Sequence, residues 1–277
     1  MGGMREPKLQ ESRLSSIWRH ARLYYWYLRA NWLSLWAYPV PFIMMNVAGI
    51  VYALGSVAAV WVLFSKIHAI GDWTLPEVML IYGLSIFSRS LFHLFWIELM
   101  NTSAMVKAGD IDRLLVRPLN PMYQLVAGYL DNDDWGELLT AVALVWTSLG
   151  MLGHRTVANV FWCLLASVSG SLIFASIHAV CNGMAFFTME TGGFSQLAWT
   201  TDEFSRYPAD IYGKGVRALI TWVIPVAFAS FYPAQVILGE GRLRLIGLLS
   251  PVAAILSFAF AYWFWGKAMD KYQGVGN

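Results

Sequence analysis

A short charged stretch, KAGDIDRLLVRPLNP (107–121), is the part of the chain best suited to bind another protein. Asp110 stands where it can cap a helix that runs through 111–116, and Pro118 ends that helix. One face of the helix would be apolar and another basic, with Ile111, Leu114 and Leu115 on the first, and Arg113 and Arg117 on the second. The pattern predicts a rigid knob of about two turns that receives a push from a partner. An ordinary charged loop is the alternative.

A single deep cation, Arg89, is the second candidate. It lies roughly 11 residues from either end of the apolar stretch 78–100, or about 16 Å along a helix, which its side chain cannot easily bridge. Further side chains follow at helical spacing on the same stripe: Tyr82, Ser85, His93 and Trp96. Such a stripe should face protein or water, as part of a substrate path or of a structural interface. Arg89 would meet Asp134 or Glu137 if the next span starts early, and otherwise a partner membrane subunit, backbone carbonyls or an anionic substrate group.

The remaining reactive side chains form no recognisable catalytic set. The acidic run DNDD (131–134) has no His or Ser arrangement of the hydrolase type near it in the sequence. Cys163 and Cys181 lie in apolar runs, and no Cys/His metal spacing is present. Before Lys214, Pro208 stands where a phosphate-binding loop requires its first Gly. We therefore expect no catalytic residue, no metal and no cofactor in this chain.

The composition explains what must position these residues. Hydrophobic residues make up 58% of the 277 residues and charged ones only 13%, against about 25% in soluble domains. Long apolar runs at this charge density predict an all-α polytopic membrane protein, and the net charge of +2 does not indicate nucleic-acid binding. Six spans are predicted: 36–64, 78–100, 135–152, 157–187, 215–236 and 245–267. His178, in the fourth, is expected to be a core histidine.

The chain before the first span predicts an amphipathic helix over 12–34. Its apolar face carries Leu14, Ile17, Trp18, Ala21, Tyr25, Leu28 and Trp32, and the rest of the wheel carries Arg13, Arg19, His20, Arg22 and Arg29. Such a helix lies in the membrane interface or packs on a cytosolic partner, and the first interpretation fits the pattern better. We divide the chain into this N-terminal arm, 1–34, and a transmembrane domain, 35–277.

Basic residues orient the predicted spans. They concentrate in the N-terminal arm, the loop 101–124, the segment 188–214 with its edge, and the C-terminal tail. The alternate connections carry only Lys66, Arg155, Arg242 and Arg244. By the positive-inside rule, both termini and the 107–121 stretch are predicted to be cytoplasmic.

The outer connection between the fifth and sixth spans, SFYPAQVILGEGRL (230–243), is unusually apolar. Pro233 is expected to break the helix, and Gly239 and Gly241 to loosen the chain. An apolar segment this short predicts a re-entrant outer turn, which protein or water must cover.

Four segments resemble, in order along the chain, the six-span export branch of the type-2 ATP-binding-cassette (ABC) permeases. They are GDIDRLLVRPLNPMYQL (109–125), FSRYPADIY (204–212), VIPVAFASFYPAQVILG (223–239) and KYQGVGN (271–277). The acidic run 131–134 departs from the usual pattern and leaves the start of the third span open. The resemblance covers the chain from about residue 12 to its end.

The resemblance implies that the loop 101–124 forms a coupling helix that docks on a separate ATPase subunit. This role would fall to Asp110, Ile111, Asp112, Arg113, Leu114, Leu115 and Arg117. A second cytoplasmic segment, 188–214, would bring four more residues to the same surface, Phe204, Arg206, Tyr207 and Pro208. The helix 12–34 would correspond to the family's interfacial elbow.

The resemblance further implies the membrane subunit of an ATP-driven exporter in the plasma membrane of a prokaryote. Two copies of the ATPase would bind ATP and Mg, and a second permease, either the same chain or a related one, would complete the assembly. The cargo would be an amphiphilic, drug-like, lipid or glycan-type molecule that leaves the cytosol or the inner leaflet.

Other functions are less consistent with the sequence. An ion-driven carrier would need carboxylates near the membrane midplane, and none lies deep in a span outside the uncertain start of the third. A membrane-embedded lipid-modifying enzyme would have to use DNDDWGE (131–137). A passive channel or scaffold would work without any ATPase.

Overall fold

The fold is entirely helical within the residues that the structure, a computed structural model, describes: 22–33, 39–67, 69, 71–188, 192–239 and 241–272. No β-strand is present in this part of the chain. The predicted all-α class is therefore confirmed.

Four helices are long and apolar enough to cross a membrane, judged over the described residues: α2 (Pro39–Lys66), α3 (Leu75–Trp96), α8 (Val157–Gly183, extended to Thr188) and α14 (Ser250–Met269). A fifth, α7 (Trp135–Met151), is apolar but shorter. It begins at Trp135, where the third span was predicted to begin. A multi-pass architecture is confirmed, whereas the count of six spans stays a prediction.

Shorter helices connect and flank these spans. They are α1 (22–33), α4 (Glu98–Ala108), α5 (Asp112–Leu115), α6 (Pro121–Gly128), α9 (Ala185–Thr188), α10 (Gly192–Glu203), α11 (Lys214–Ala218), α12 (Phe231–Leu238) and α13 (Gly241–Leu248). Non-α turns cover Phe204–Arg206, Ala209–Ile211, Leu219–Val223 and Val226–Ala229.

We call the end of the bundle that carries residues 97–134 the lower end, and the end that carries 71–74 and 152–156 the upper end. At the lower end, Ser103 of α4 donates a hydrogen bond to Asn182 of α8 over 3.2 Å, and Ser195 of α10 donates one to the same oxygen over 2.6 Å. At the upper end, the indole of Trp162 donates to the carbonyl of Pro233. Helices α3 and α8 therefore run downward side by side.

Glycines allow α3 to pack closely against α8 and α7. A Cβ added at Gly170 of α8 would lie 2.6 Å from Ser88 Cβ of α3 and 2.9 Å from the carbonyl oxygen of Ala229. A Cβ at Gly83 of α3 would lie 2.9 Å from Val145 of α7. Small residues let helix backbones approach in membranes, where van der Waals contact rather than water exclusion drives association.

The predicted fifth span, 215–236, is not one helix. After α11 the chain widens into a π-helical turn, Leu219–Val223, and then breaks. Pro225 has no N–H to donate into that turn, and the N–H of Val226 turns back to Ile224. The range is therefore broken, with α12 beginning only at Phe231, and whether it crosses the membrane stays a prediction.

Residues 192–211 instead pass from the lower end toward the upper end. Ser195 lies beside Asn182 at the lower end. Ser205 is hydrogen-bonded to Ser85, in the middle of α3, over 2.6 Å. Asp210 accepts a hydrogen bond from the indole of Trp73 over 2.9 Å at the upper end. This path was predicted to be a cytoplasmic segment.

The predicted outer turn, 230–243, is a pair of short helices, α12 and α13. They pack closely, since a Cβ at Gly247 would lie 2.7 Å from Val236. Pro233 lies in the first turn of α12 and does not break it, because a first-turn proline leaves no helical hydrogen bond unmade. Whether this pair is re-entrant in the membrane stays a prediction.

The described part of the N-terminal arm, 22–33, is helical as predicted, while 1–21 and 34 lie outside the described residues. Trp32 packs edge-on against Trp135, with 6.5 Å between ring centroids. Helix α1 is thereby held at the lower end, beside the start of α7. Of the C-terminal segment 271–277, which carries part of the family resemblance, residues 273–277 lie outside the described residues.

Candidate functional site

The polar face of α3 meets a partner at every turn. The hydroxyl of Tyr82 interacts with Ser56 of α2. Ser85 is bonded to Ser205, Arg89 to Glu137 and His93 to Asp134. The stripe predicted from the sequence therefore faces protein, as expected.

The ion pair of Arg89 with Glu137 is the most buried charged contact of this face. The two residues are 8% and 6% exposed. Taking one charge out of water costs several kcal/mol, so the pair is tolerable only because each charge neutralises the other. Of the partners that the sequence allowed, Glu137 is the one that the structure supplies.

Helix α7 can place Glu137 here because α2 supports its first turn. The side chain of Asn46 accepts a hydrogen bond from the N–H of Gly136 over 2.7 Å and donates to the carbonyl of Asn132 over 2.9 Å. Asp134, the residue before the helix, makes no such capping bond and pairs with His93 instead. The role of Asn46 was not predicted from the sequence. An amide side chain inside an apolar span was the feature that could have indicated it.

Trp96, the last predicted member of the stripe, lies elsewhere. Its ring packs edge-on against Phe258 of α14 at 5.1 Å. It lines a groove on the outside of the bundle instead of the face that carries Arg89. The polar stripe therefore ends at His93.

A second buried pair joins α8 to α10. His178 Nε2 lies 2.9 Å from a carboxylate oxygen of Asp202, and both side chains are almost completely buried. The ring of Phe92 stacks on His178 at 4.7 Å. Trp199 stands edge-on to both His178 and His93, at 6.0 and 5.9 Å. His178 is thus a core histidine with a partner that the sequence analysis missed, because Asp202 was assigned to a cytoplasmic segment.

The acidic run at the lower end is partly buried. Asp131 accepts a hydrogen bond from the N–H of Asp133 over 2.9 Å, and burial raises the pKa of both carboxyls. Burial also raises the pKa of Glu98, the first residue of α4. Folding brings His93, distant in the sequence, to Asp134 of this run, whereas the absence of a hydrolase-type arrangement stays a prediction. No group of three or more His, Cys, Asp or Glu side chains in the described residues could hold a metal ion.

The predicted docking helix, α5, is a single turn of four residues at the lower end. Asp110 does not cap it, since its carboxylate accepts a hydrogen bond from Arg113 over 2.8 Å. Ile111 is fully buried and Leu114 partly buried, whereas Leu115 turns outward. The predicted apolar face is therefore only partly packed: Ile111 and Leu114 contact the rest of the chain, and Leu115 is exposed. The side chains of Asp112 and Arg117 are partly and fully exposed.

The structure does not bring the two predicted docking segments together. Phe204 packs on Tyr212 at 5.2 Å, and Arg206 pairs with Glu203 over 2.7 Å. Tyr207 and Pro208 follow in the same segment, between the level of Ser85 and the upper end. The structure places these residues away from α5, because the lower half of α3 and the whole of α4 lie between the two segments, and their docking role stays a prediction.

The family match agrees with the helical, multi-pass fold. The sequence profile described as ABC-2 family transporter protein matches residues 50–276. This range covers most of the chain and includes α5, both buried pairs and the α12–α13 hairpin. The chain therefore belongs to this family. It is a multi-pass permease, the membrane component of an ABC transporter, a class that works with a partner ATPase. Among proteins with curated descriptions, none matches the chain.

Proposed function

We propose that this permease is the membrane half of an ATP-driven exporter and that α5 is the surface on which its ATPase docks. The observation that carries the proposal is a turn with an anchored base and an exposed apolar tip, placed at one end of the bundle. Leu115 and Val116 form this tip, and Val116 is 83% exposed. An apolar tip flanked by Arg113 and Arg117 suits a pocket with an acidic rim on another protein.

The base of the turn is fixed to the rest of the chain. The side-chain amide of Gln124, in α6, donates to the carbonyls of Leu114 and Leu119 over 3.0 and 2.9 Å. Asn120 caps α6 by accepting from the N–H of Tyr123. A push on the tip therefore moves α5 and α6 together instead of bending the loop.

Helix α4 gives the movement a route into the membrane. It follows α3 after one residue, Ile97, whose backbone is itself in the right-handed helical conformation, and it ends at Gly109 in the left-handed conformation, with φ of 77°. Ser103 ties it to Asn182 of α8. Displacing α5 should therefore tilt α3 and α8, and with them the buried pairs that join α3 to α7 and α8 to α10.

The work would come from outside this chain. We propose that two ATPase copies bind ATP and Mg²⁺, and that a second permease, identical or related, completes the translocation path. The cargo would be an amphiphilic, drug-like, lipid or glycan-type molecule moved out of the cytosol or the inner leaflet, with the lower end cytoplasmic. The positive-inside rule supports a cytoplasmic lower end, because most of the Lys and Arg residues in the connections, including those around α5, were assigned to the cytoplasmic side.

Arg89 takes a structural part in this proposal. Glu137 already neutralises it, which leaves no free charge for a substrate. We therefore assign the face formed by Tyr82, Ser85, Arg89 and His93 to holding α3 against its neighbours.

The experiment compares two exposed valines at opposite ends of the molecule. Val116 in the tip is 83% exposed, and Val157, at the upper start of α8, is 88% exposed. The tagged permease is purified in mild detergent, and copurified ATP hydrolysis is measured for wild type, Val116→Asp and Val157→Asp. We expect Val116→Asp to weaken ATPase retention about tenfold or more, because an unpaired carboxylate would be buried in the interface.

Val157→Asp should retain the ATPase as wild type does. Equal retention by both variants, with an ATPase bound, would refute docking at α5. Wild-type permease that transports or conducts with no ATPase present would instead favour a passive channel.

A further inference from the structure

The outside of the bundle carries a groove that the proposed coupling does not use. It has a volume of about 720 Å³ and lies between α1, α3, α6, α8 and α14. Its apolar floor comes from three long helices, with Leu91 and Phe95 on α3, Val168 and Leu172 on α8, and Phe258 on α14. Pockets that hold small molecules commonly measure about 300–1,000 Å³, so the groove is large enough for a ligand.

The lower end of the groove is polar. The side-chain amide of Asn120 donates a hydrogen bond to the hydroxyl of Tyr262 over 2.9 Å. Tyr24 of α1 and Tyr123 of α6 also line this end. Hydroxyl and amide groups on the rim of an apolar groove suit a ligand with one apolar and one polar end.

Two basic residues lie close in sequence to residues of this rim. Arg22 is exposed two residues before Tyr24, and Arg117 is exposed three residues before Asn120. No acidic residue lines the groove, and α1 carries none over 22–33. Basic pockets between transmembrane helices attract anionic lipid headgroups, at about 1 kcal/mol for each Lys or Arg near the surface.

We propose that this groove binds one acyl chain of an anionic phospholipid, with the phosphate at the rim formed by Tyr24, Asn120 and Tyr262. The occupant follows from the position of the groove. It opens on the outside of a membrane-spanning bundle, where lipid chains are the surrounding medium. Arg22 and Arg117, next to its polar end in the sequence, and a lining without acidic residues favour an anionic headgroup over a neutral one. The bound lipid joins α1 and α6 to α14, beside the base of α5.

The test uses phosphatidylglycerol and phosphatidylcholine as matched anionic and zwitterionic probes. The purified full-length permease is exchanged into each lipid, and retained lipid is counted by native mass spectrometry. The melting temperature is measured in parallel. We expect one phosphatidylglycerol to be retained in preference to phosphatidylcholine and to raise the melting temperature. Arg22→Gln should weaken its retention about fivefold, the equivalent of one basic residue.

A bulky substitution tests the floor of the groove. Val168, on its wall, and Val62, on α2, are each 52% exposed, so neither side chain is part of the packed core. Val168→Trp should fill the groove and abolish both lipid retention and the lipid-dependent rise in melting temperature. Val62→Trp should leave both unchanged.

Three results would overturn the proposal. The first is retention of phosphatidylglycerol by Val168→Trp at the wild-type level. The second is equal retention of the two lipids by the wild-type chain. The third is loss of a permease dimer in Val168→Trp, which would make the groove a subunit interface. None of these outcomes depends on ATPase docking, so the proposal fails or stands separately from the proposed function.

Discussion

At the scale of single residues, a charge deep in an apolar helix fixes which helices pack together. Arg89 is buried within α3, and Glu137 lies on α7 with its own charge buried. Each buried charge therefore needs the other as its partner, since either one alone would destabilise the fold. The sequence allowed this pairing but could not choose it, because the choice depends on where α7 begins. That start is supported by Asn46, a residue 90 positions before Gly136.

The first prediction concerns this pair. Glu137→Gln or Arg89→Met alone should lower the free energy of unfolding by about 3–5 kcal/mol, because one buried charge loses its partner. The double variant Arg89→Met, Glu137→Leu should recover much of that loss, since no charge is then buried. Thermal unfolding in detergent, followed by circular dichroism, measures all three.

If Arg89 served a substrate instead, the double variant would be stable but inactive, and Glu137→Gln alone would unfold no earlier than wild type. Lys267→Gln serves as the control, because its pair with Asp270 is exposed and contributes little.

The second prediction concerns pH and Asp131. Burial raises the pKa of this carboxyl in the folded protein, so the folded state binds its proton more tightly than the unfolded chain does. This contribution to stability is complete at low pH and is lost as pH rises from the unfolded pKa through the folded one. Asp131→Asn keeps the acceptor for the N–H of Asp133 and removes the charge.

The variant should therefore melt higher than wild type at neutral pH, and the gap should narrow as the solution is acidified. Asp270→Asn, at an exposed position, should show no such convergence. A wild-type chain that melts higher than Asp131→Asn at neutral pH would contradict the assignment.

At the scale of elements, sequence patterns located the helices better than their breaks. The short helix at 112–115 was predicted from charge and proline. The start of α7 lies where hydropathy placed the third span, although the acidic run 131–134 had left that start open. The broken region 214–238 was not, because hydropathy averages over residues whether or not their backbone continues one helix. The passage of 192–211 between the two ends was missed for a related reason. Two of its polar residues, Asp202 and Ser205, are paired inside the bundle instead of facing water.

The third prediction tests the close contact between α3 and α8. Gly170→Ala places a methyl group against Ser88 and the carbonyl of Ala229, with no flexible side chain to yield on the carbonyl side. We expect a loss of about 1–3 kcal/mol, which is typical of overpacking. Gly55→Ala on α2 is the matched control, because nothing lies within 4 Å of its added Cβ.

The control should be neutral or stabilised by about 0.5–1 kcal/mol, since alanine suits a helix interior better than glycine. Melting temperatures in detergent compare the two variants. Equal effects at Gly170 and Gly55 would mean that α3 and α8 are farther apart than described.

At the scale of the whole molecule, buried polar pairs join the helices of the bundle, and α5 with its exposed tip lies at the lower end. We call α5 and this tip the lever. The family and the position of this lever were predicted from the charged stretch 109–125 and its order relative to the other segments. The sequence could not show that 204–208 lies away from the lever, because that separation arises from the three-dimensional path of 192–211. The central claim is therefore that α5 alone, of the two predicted segments, contacts the ATPase.

The most direct measurement of this claim is site-specific photocrosslinking in native membranes, followed by mass spectrometry of the product. A photoreactive residue is placed at Val116, at Tyr207 or at Val157 in otherwise wild-type permease. We predict a crosslink from position 116 to a protein that carries a nucleotide-binding loop, and none from positions 207 and 157. An ATPase crosslink from position 207 or 157, or the absence of one from position 116, would contradict the account.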